Sequence, residues 1–525
     1  MRTLVMLPNW VGDAILALPA LEGLITHGGD EYVLAGRALP LELTAHLAPG
    51  AERVHLRKGA GEGYRRWTAG RALRRLRPAR VLLLTPSFSS AWLAWLSGAH
   101  RRIGWPEQGR RWLLNRPVRR ARRGAEHIVE EFKALAVQAG GAGFPRDPQL
   151  PRLPAAEEEA ERLLEGAGLD AGGPGTATRQ VALCPGVMYG TAKQWPIERF
   201  RALRQILEAK GCRGWVIGAA TDRDAGERIL SGAAEGWVNL AGRASLTVSG
   251  SLLRRCDAAV CNDTGVMHLA AAVGTPVVAL FGPTEPRWTG PRGPVTRVLQ
   301  HGCACVPCYA RTCGEGHPPP CMAAITVEEV AAAIEQVLAD GARLSPGLLL
   351  DRDGTLCELV PYLSDPGQTR LVPGAAGALR RAREAGYRIA VVSNQSGVAR
   401  GLFGGGAVAA VHRALDEQLA REGAAVDGYF VCPHHPDYTG ACGCRKPAPG
   451  MLREAASELG LDLRRSWMIG DADGDLRAGA VAGARSVLVR TGYGREQESA
   501  ARRWAYRGLV ADDLPDAIGR ILALG

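Results

Sequence analysis

Residues 349–355 read Leu-Leu-Asp351-Arg-Asp353-Gly-Thr355. An apolar run closing on two carboxylates at i and i+2, followed by glycine, predicts a buried strand that stops in a tight turn. Open α/β sheets bind their ligands outside the carboxyl ends of strands, which is where these acids would stand. Further along come Cys432-Pro-His434 and Cys442-Gly-Cys444-Arg445-Lys446-Pro447. A carboxylate pair suits phosphoryl transfer with Mg²⁺, a hard oxygen-seeking ion. Three thiols and an imidazole can close a tetrahedral zinc site.

The strand–helix alternation around this stretch extends through the chain. Apolar runs at 4–7, 81–85, 181–183, 215–217, 258–260 and 277–281 predict buried parallel strands, with amphipathic segments at 157–164 and 200–209 between them. The same pattern resumes at 347–350 and continues through strands at 389–393, 429–431, 467–469 and 486–489 and helices at 411–421 and 451–459. Polar breaks at 166–179 and 340–346 divide it. At 525 residues the chain exceeds one hydrophobic core. Three α/β domains are expected, at 1–172, 173–343 and 344–525.

Composition is that of a globular protein, 46% hydrophobic and 22% charged. No apolar stretch reaches the roughly 20 residues of a membrane span. The segment 1–7 meets Asn9, Gly12 and Asp13 without a small-residue cleavage pattern, so no signal peptide is read and a cytoplasmic location is expected. The thirteen cysteines are clustered, five of them between Cys303 and Cys321. Clustering favours metal ligation or buried thiols over disulfides. For the 303–321 group, a zinc site and free thiols both remain open.

The net charge of +11 is uneven. Residues 65–80 hold seven arginines and no acid, and 101–123 hold nine with Glu107 alone opposing them. These runs read either as solvated helix faces or as a surface for phosphates or an anionic membrane. Nucleic acid fits less well, because no recognised binding module accompanies them.

Chemical roles follow from position. Asp351 at a strand end can attack phosphorus, and Asp353 can protonate the leaving oxygen and later deprotonate water. Ser393, Asn394 and Gln395 after the next strand offer donors to phosphoryl oxygens, and Lys446 supplies positive charge. Asp471 after Gly470, with Asp475, offers carboxylates to Mg²⁺. These stretches, with Ser393-Asn-Gln-Ser-Gly-Val-Ala-Arg-Gly401 and Cys432-Pro-His-His-Pro436, resemble the haloacid dehalogenase (HAD) superfamily. More narrowly they resemble the D-glycero-D-manno-heptose 1,7-bisphosphate 7-phosphatases. The resemblance implies a HAD-like domain at 344–525 with an aspartyl-phosphate intermediate. It also implies Mg²⁺ at Asp351, Asp353 and Asp471, and structural Zn²⁺ on Cys432, His434, Cys442 and Cys444, with His435 the alternative ligand. Arg445 and Lys446 would be carried to the substrate by the zinc loop. Ala472 departs from the long basic side chain that relatives often place there. Histidinol phosphate is the rival substrate.

The amino-terminal part opens Val5-Met-Leu-Pro-Asn-Trp-Val-Gly-Asp13, placing an acid at a sheet edge. It continues with Cys184-Pro-Gly-Val-Met-Tyr-Gly-Thr-Ala-Lys193, Asn262-Asp263-Thr264-Gly265-Val-Met-His268 and Ala279-Leu-Phe-Gly-Pro-Thr284. Thr264-Gly265 before a helix offers backbone N–H groups to a diphosphate, and Lys193 can neutralise it. Singly, Asp13 reads equally as a helix cap and His268 as a core histidine. Together the stretches resemble the ADP-heptose:lipopolysaccharide heptosyltransferases of glycosyltransferase family 9. The resemblance is to type II rather than type I, through Trp10-Val-Gly-Asp13 and Tyr189-Gly-Thr-Ala-Lys193. It implies a GT-B fold, an acceptor-side domain at 1–172 and an ADP-heptose-binding domain at 173–343. Asp13 would be the general base and Lys193 the diphosphate ligand. Asp263, Thr264, Gly265, His268 and Asp224 would be donor-site residues.

The expectation is a bifunctional enzyme of lipopolysaccharide inner-core assembly. It would take ADP-heptose, a core acceptor and heptose 1,7-bisphosphate, with contact at the inner membrane. Another nucleotide sugar, or a non-catalytic GT-B module, is the alternative for the first part.

Overall fold

The computed structural model describes residues 1–56, 62–169, 173–176 and 178–524, with side chains from 68 onward in the helix Glu62–Arg75. Parts of the expected 65–80 arginine run and of the 166–179 break thus lie outside the described residues.

Three six-stranded sheets account for the strands. The first comprises β1 (Arg2–Met6), β2 (Glu31–Gly36), β3 (Glu52–His55), β4 (Arg80–Leu83), β5 (Arg101–Gly104) and β6 (Arg116–Pro117). The second comprises β7 (Gln180–Cys184), β8 (Arg213–Val216), β9 (Trp237–Asn239), β10 (Ala258–Asn262), β11 (Val277–Phe281) and β12 (Thr296–Gln300). The third comprises β13 (Gly347–Leu350), β14 (Arg388–Asn394), β15 (Gly428–Cys432), β16 (Trp467–Gly470), β17 (Arg485–Val489) and β18 (Val510–Ala511).

Their spatial orders are β3-β2-β1-β4-β5-β6, β12-β11-β10-β7-β8-β9 and β15-β14-β13-β16-β17-β18. Counted within each sheet, all three are the doubly wound order 3-2-1-4-5-6. The first and fourth strands pair in parallel each time, as with Met6 opposite Leu83, Cys184 opposite Cys261, and Leu350 opposite Ile469. The direction in which successive strands are added to the sheet reverses there, so adjoining loops splay apart and leave a crevice. Each sheet thus has one crevice, between β1 and β4, β7 and β10, and β13 and β16.

The central strands are apolar on both faces because helices cover both. β7, β10 and β11 are buried throughout. In the first sheet Val5, Leu34 and Leu82 pack with Leu21 and Phe132 on one face. Leu4, Met6 and Val81 pack with Leu73, Leu93 and Leu113 on the other. In the third sheet Leu348, Leu350 and Val391 pack under Leu379 and Ile518.

Two compact units result. One holds Met1–Gln149 and Thr176–Leu338, and the other holds Leu150–Gly175 and Ala339–Gly525. The helix Pro154–Glu165, which in sequence joins the first two sheets, therefore belongs with the third. Its anchor is Arg152, whose N–H donates to the Ala480 carbonyl at 2.7 Å. The Arg152 guanidinium donates to the carbonyls of Gly483 and Arg464 and pairs with Glu157 at 2.9 Å. Among the described residues no helix is long and apolar enough to cross a membrane.

Candidate active sites

The third sheet's crevice gathers its acids from two strand ends. Asp351 follows β13 and Asp471 follows β16, while Asp475 lies in the first turn of the helix Asp473–Ala482. One oxygen from each of the three lies within 4.8 Å of the others. Lys446 enters from the loop after β15. Its Nζ donates to Asp351 Oδ1 at 2.6 Å and to the Val392 carbonyl at 2.6 Å, and it pairs with Asp475 Oδ1 at 2.8 Å. Burial alone would discharge this lysine, yet Asp351 and Asp475 outweigh it and hold the ammonium well above its usual range. Asp471 has no such partner in contact. Burial, then the charges of Asp351 and Asp475, push it up to about 7. Burial pushes Asp475 to about 6.

The cradle around Asp471 is made of two glycines. Gly354 (φ +82°) and Gly492 (φ +54°) come so close that a Cβ on either would stand 2.4 or 2.0 Å from Asp471 Oδ2. The left-handed backbone and the lack of space both require glycine there. The Tyr493 N–H also donates to that oxygen at 2.8 Å. Buried carboxylates that repel one another suit a divalent cation, the hard-acid partner for an oxygen donor set.

Asp353 stands apart from this group. Its carboxylate accepts from Arg352 Nε and Nη2 at 3.0–3.1 Å and from Gln395 Nε2 at 3.0 Å. Its side chain therefore does not join Asp351 and Asp471 in the cation group expected from sequence. Burial raises its pKa against the pull of the Arg352 charge. Arg352, nearly fully buried, gave no separate signal in the sequence. Asn394 is likewise occupied. Its amide exchanges hydrogen bonds with the Lys446 backbone at 3.0 and 3.1 Å, which fixes the lysine. Gln395 also donates to Ser393 Oγ at 2.8 Å.

Cys432, His434, Cys442 and Cys444 converge as expected. Cys444 Sγ lies 3.2 Å from Cys432 Sγ, 3.4 Å from Cys442 Sγ and 3.4 Å from His434 Nδ1. Cys432 lies 3.6 Å from Cys442 and 3.7 Å from His434 Nδ1. These separations approximate the edges of a tetrahedron drawn with metal–ligand bonds of roughly 2.0–2.3 Å. His435 is turned elsewhere, its Nε2 3.0 Å from Arg400 Nη2. Arg445 donates to the His434 carbonyl at 3.1 Å, so it braces the loop that ends in Lys446. Among the described residues the cysteines at 303–321 form no such group, although Cys303 and Cys305 lie 3.3 Å apart.

The second site is a cleft of about 310 Å³ inside the first unit, lined by Asp13, Lys193, Asp263, Thr264, Gly265 and His268 among others. The first turns of helices Val11–Leu16 and Gly265–Ala272 touch here. A Cβ on Gly12 would lie 2.9 Å from His268 Cδ2, and one on Gly265 would lie 3.2 Å from Val11 Cβ. Asp13 sits in the first turn of its helix, and Trp10 rather than Asp13 takes the N-cap position. Burial pushes the Asp13 carboxyl up to about 6 against the attraction of Arg120 and Lys193. Lys193 Nζ pairs with Asp263 Oδ2 at 2.5 Å, and Thr284 Oγ1 donates to the same oxygen at 2.6 Å. His268 is buried, which lowers its pKa to about 4 and keeps it neutral. Among the described residues its Nδ1 has no hydrogen-bond partner, unlike a satisfied core histidine.

Asp224 is not brought to the cleft. It lies exposed at the start of the helix Arg223–Leu230. Instead the cleft wall carries Arg123, held 4.7 Å over the Trp288 ring and 4.6 Å over Tyr309. These aromatic contacts join distant segments, so no local motif announces them.

Both parts of the chain are similar to known proteins. Residues 66–318 match the model for glycosyltransferase family 9 (heptosyltransferase), and 443–517 match the HAD-hydrolase-like model. The chain is 39% identical over 180 residues to the D-glycero-β-D-manno-heptose-1,7-bisphosphate 7-phosphatase of Yersinia pestis, spanning 33% of this chain and 95% of that protein. The counterpart from Escherichia coli K12 is 37% identical over 185 residues, covering 34% and 95%. The solved E. coli ADP-heptose lipopolysaccharide heptosyltransferase II superposes with a TM-score of 0.54 at 28% identity, covering 65% of this chain and all of that one. A family 9 glycosyltransferase from Veillonella parvula shares the fold, with a TM-score of 0.54 at 19% identity and coverage of 65% and 97%. The chain belongs to the heptose-1,7-bisphosphate 7-phosphatase family through its HAD-like portion, and joins to it a glycosyltransferase family 9 domain of GT-B fold.

Proposed function

We propose that the chain is a bifunctional enzyme of lipopolysaccharide inner-core synthesis. Its HAD-like unit removes the 7-phosphate of D-glycero-D-manno-heptose 1,7-bisphosphate. Its GT-B unit transfers heptose from ADP-heptose to a core acceptor at the cytoplasmic face of the inner membrane. The observation that carries this reading is that each site is gathered within its own compact unit, so neither needs residues of the other. The curated relatives act on the β-anomer, which is therefore the first substrate to test.

In the phosphatase, an Asp351 oxygen attacks phosphorus and the bond from phosphorus to the sugar oxygen breaks. Asp353 gives that oxygen its proton. Asp353 then takes a proton from water, whose oxygen attacks the aspartyl-phosphate, freeing inorganic phosphate and restoring Asp351. Lys446 offsets negative charge at the reacting group. Asp351, Asp471 and Asp475 would hold Mg²⁺, which when bound adds charge stabilisation for the phosphoryl oxygens. Cys432, His434, Cys442 and Cys444 would hold a structural Zn²⁺, and their four donors leave no open position.

In the transferase, Asp13 removes the proton of the acceptor hydroxyl, which attacks C1 of the heptose. The bond from C1 to the diphosphate breaks with inversion. Lys193 and the backbone N–H groups at Gly265 take up the charge of the leaving ADP. Neutral His268 offers its free Nδ1 to the donor.

The test is phosphate release with Mg²⁺ from heptose 1,7-bisphosphate and from histidinol phosphate, with Asp351→Asn as blank. Beside it runs ADP-heptose consumption on a core acceptor, with Asp13→Ala as blank. Preference for histidinol phosphate would defeat the phosphatase half, and turnover surviving Asp13→Ala would defeat the transferase half.

A further inference from the structure

The helix Phe88–Leu96 leaves the carboxyl end of β4, beside the β1 end that leads to Asp13. Its inner side supplies Ala91, Leu93 and Ala94 to the core. Its outer side is aromatic. Phe88 and Trp95 are 40% and 47% exposed, and Trp112, from the turn Arg111–Leu113, is 64% exposed. These three and half-buried Trp92 form one connected set. Ring centroids are 6.1 Å apart for Phe88 and Trp112, 6.5 Å for Trp92 and Trp112, and 5.2 Å for Trp92 and Trp95. Water-exposed aromatic clusters are costly in a soluble protein and mark an interaction surface.

Arginines stand on the elements next to the cluster. Arg111 flanks Trp112, and Arg116 lies on the outermost strand of the same sheet. Arg74 and Arg75 end the helix Glu62–Arg75, which packs beside Phe88–Leu96 with Leu96 against Gly70. All four arginines are exposed. No acidic side chain pairs with Arg111 or Arg116 among the described residues, and Glu107 is taken up by Arg120 at 3.0 Å.

We infer that this face is a membrane-docking surface, with Phe88, Trp95 and Trp112 entering the interfacial zone and the surrounding arginines meeting anionic lipid headgroups. Tryptophan favours that zone because its ring is amphipathic. Basic residues add attraction to an anionic leaflet. A second copy of the chain is a poor occupant, because a two-fold contact would set each arginine cluster against its own image. Docking here would hold the β1 and β4 ends, and so Asp13, near the headgroup plane. That consequence, though not the docking itself, rests on the transferase reading.

The test is co-sedimentation of the full chain with vesicles of phosphatidylglycerol and phosphatidylethanolamine, against vesicles of phosphatidylcholine. The expected result is preferential binding to the anionic vesicles and quenching of tryptophan fluorescence by brominated lipid. Trp95→Ser with Trp112→Ser should abolish the quenching and weaken binding at least tenfold. Arg111→Gln and Arg116→Gln should each weaken it about fivefold. Circular dichroism and transfer to a lipid-free core oligosaccharide should stay unchanged, separating this proposal from the transferase assignment. Equal binding to both vesicle types, absent quenching, or a tryptophan variant that changes only the sedimentation coefficient of the free protein would overturn it.

Discussion

Lys446 Nζ lies 2.6 Å from Asp351 Oδ1 although 95 residues separate them. The contact ties the Cys/His loop to the proposed nucleophile. Cys444 is a donor of the Cys/His set, Arg445 braces the loop against His434, and Asn394 grips the Lys446 backbone. The Cys/His tetrahedron thereby fixes a charge at the opposite end of the site.

Replacing that charge should be severe and local. Lys446→Met is expected to lower phosphatase kcat by about 10²–10³, the range for losing one preorganised electrostatic group. ADP-heptose turnover should not change. Steady-state phosphate release and transfer assays on one preparation decide the matter, and a phosphatase loss under threefold would sink the role given to Lys446.

Asp471 makes a stability prediction with a definite sign. Its folded-state pKa of about 7 lies above the ordinary aspartate value near 3.9, so the folded protein binds this proton more tightly than the unfolded chain. Its contribution to stability is full below about pH 4 and is lost as pH rises through 7. In metal-free protein, Asp471→Asn should therefore add about 1–3 kcal/mol at pH 8 and almost nothing at pH 4, while abolishing phosphatase. Mg²⁺ should raise the melting temperature of the parent more than that of the variant. A variant that melts lower at pH 8 contradicts the assignment.

Removing the soft-donor metal should separate the two activities. A strong chelator, or Cys444→Ser, is expected to release one zinc per chain, readable by atomic absorption, and to reduce phosphatase at least tenfold. Transfer should persist. Full phosphatase activity in a zinc-free preparation would show that the loop holds Lys446 unaided.

For the transferase, the Asp13 carboxyl at about 6 must be ionised to act as base. Its kcat/KM should rise with pH and level off above an inflection near 6. Asp13→Asn should remove the inflection and lower the rate by about 10²–10⁴. A flat profile between pH 5 and 8 in the parent would exclude Asp13 as the titrating base.

The central strands were legible because burial on both faces forces an uninterrupted apolar run. The runs at 277–281 and 347–350 coincide with β11 and β13, and most others fall within two residues. Edge strands were not. β12, with Thr296 and Arg297 exposed, and the two-residue β6 need not be apolar. In the sites, residues at strand ends were readable because sequence places them there, as with Asp351 and Asp471. Side-chain direction was not. Asp353 turns to adjacent Arg352 and to distant Gln395, Asn394 to the Lys446 backbone, and Asp224 to solvent. Arg123 between Trp288 and Tyr309 is a contact that only folding creates.

The helix Pro154–Glu165 carries a lesson about descent. Because this crossover lies with the phosphatase body, the polypeptide passes between the two bodies three times rather than once. Gene fission after residue 343 would strand Arg152 on one product and its partners Arg464 and Gly483 on the other. The two bodies are interleaved along the chain rather than strung in tandem, so a break in the reading frame that frees the first takes this helix from the second.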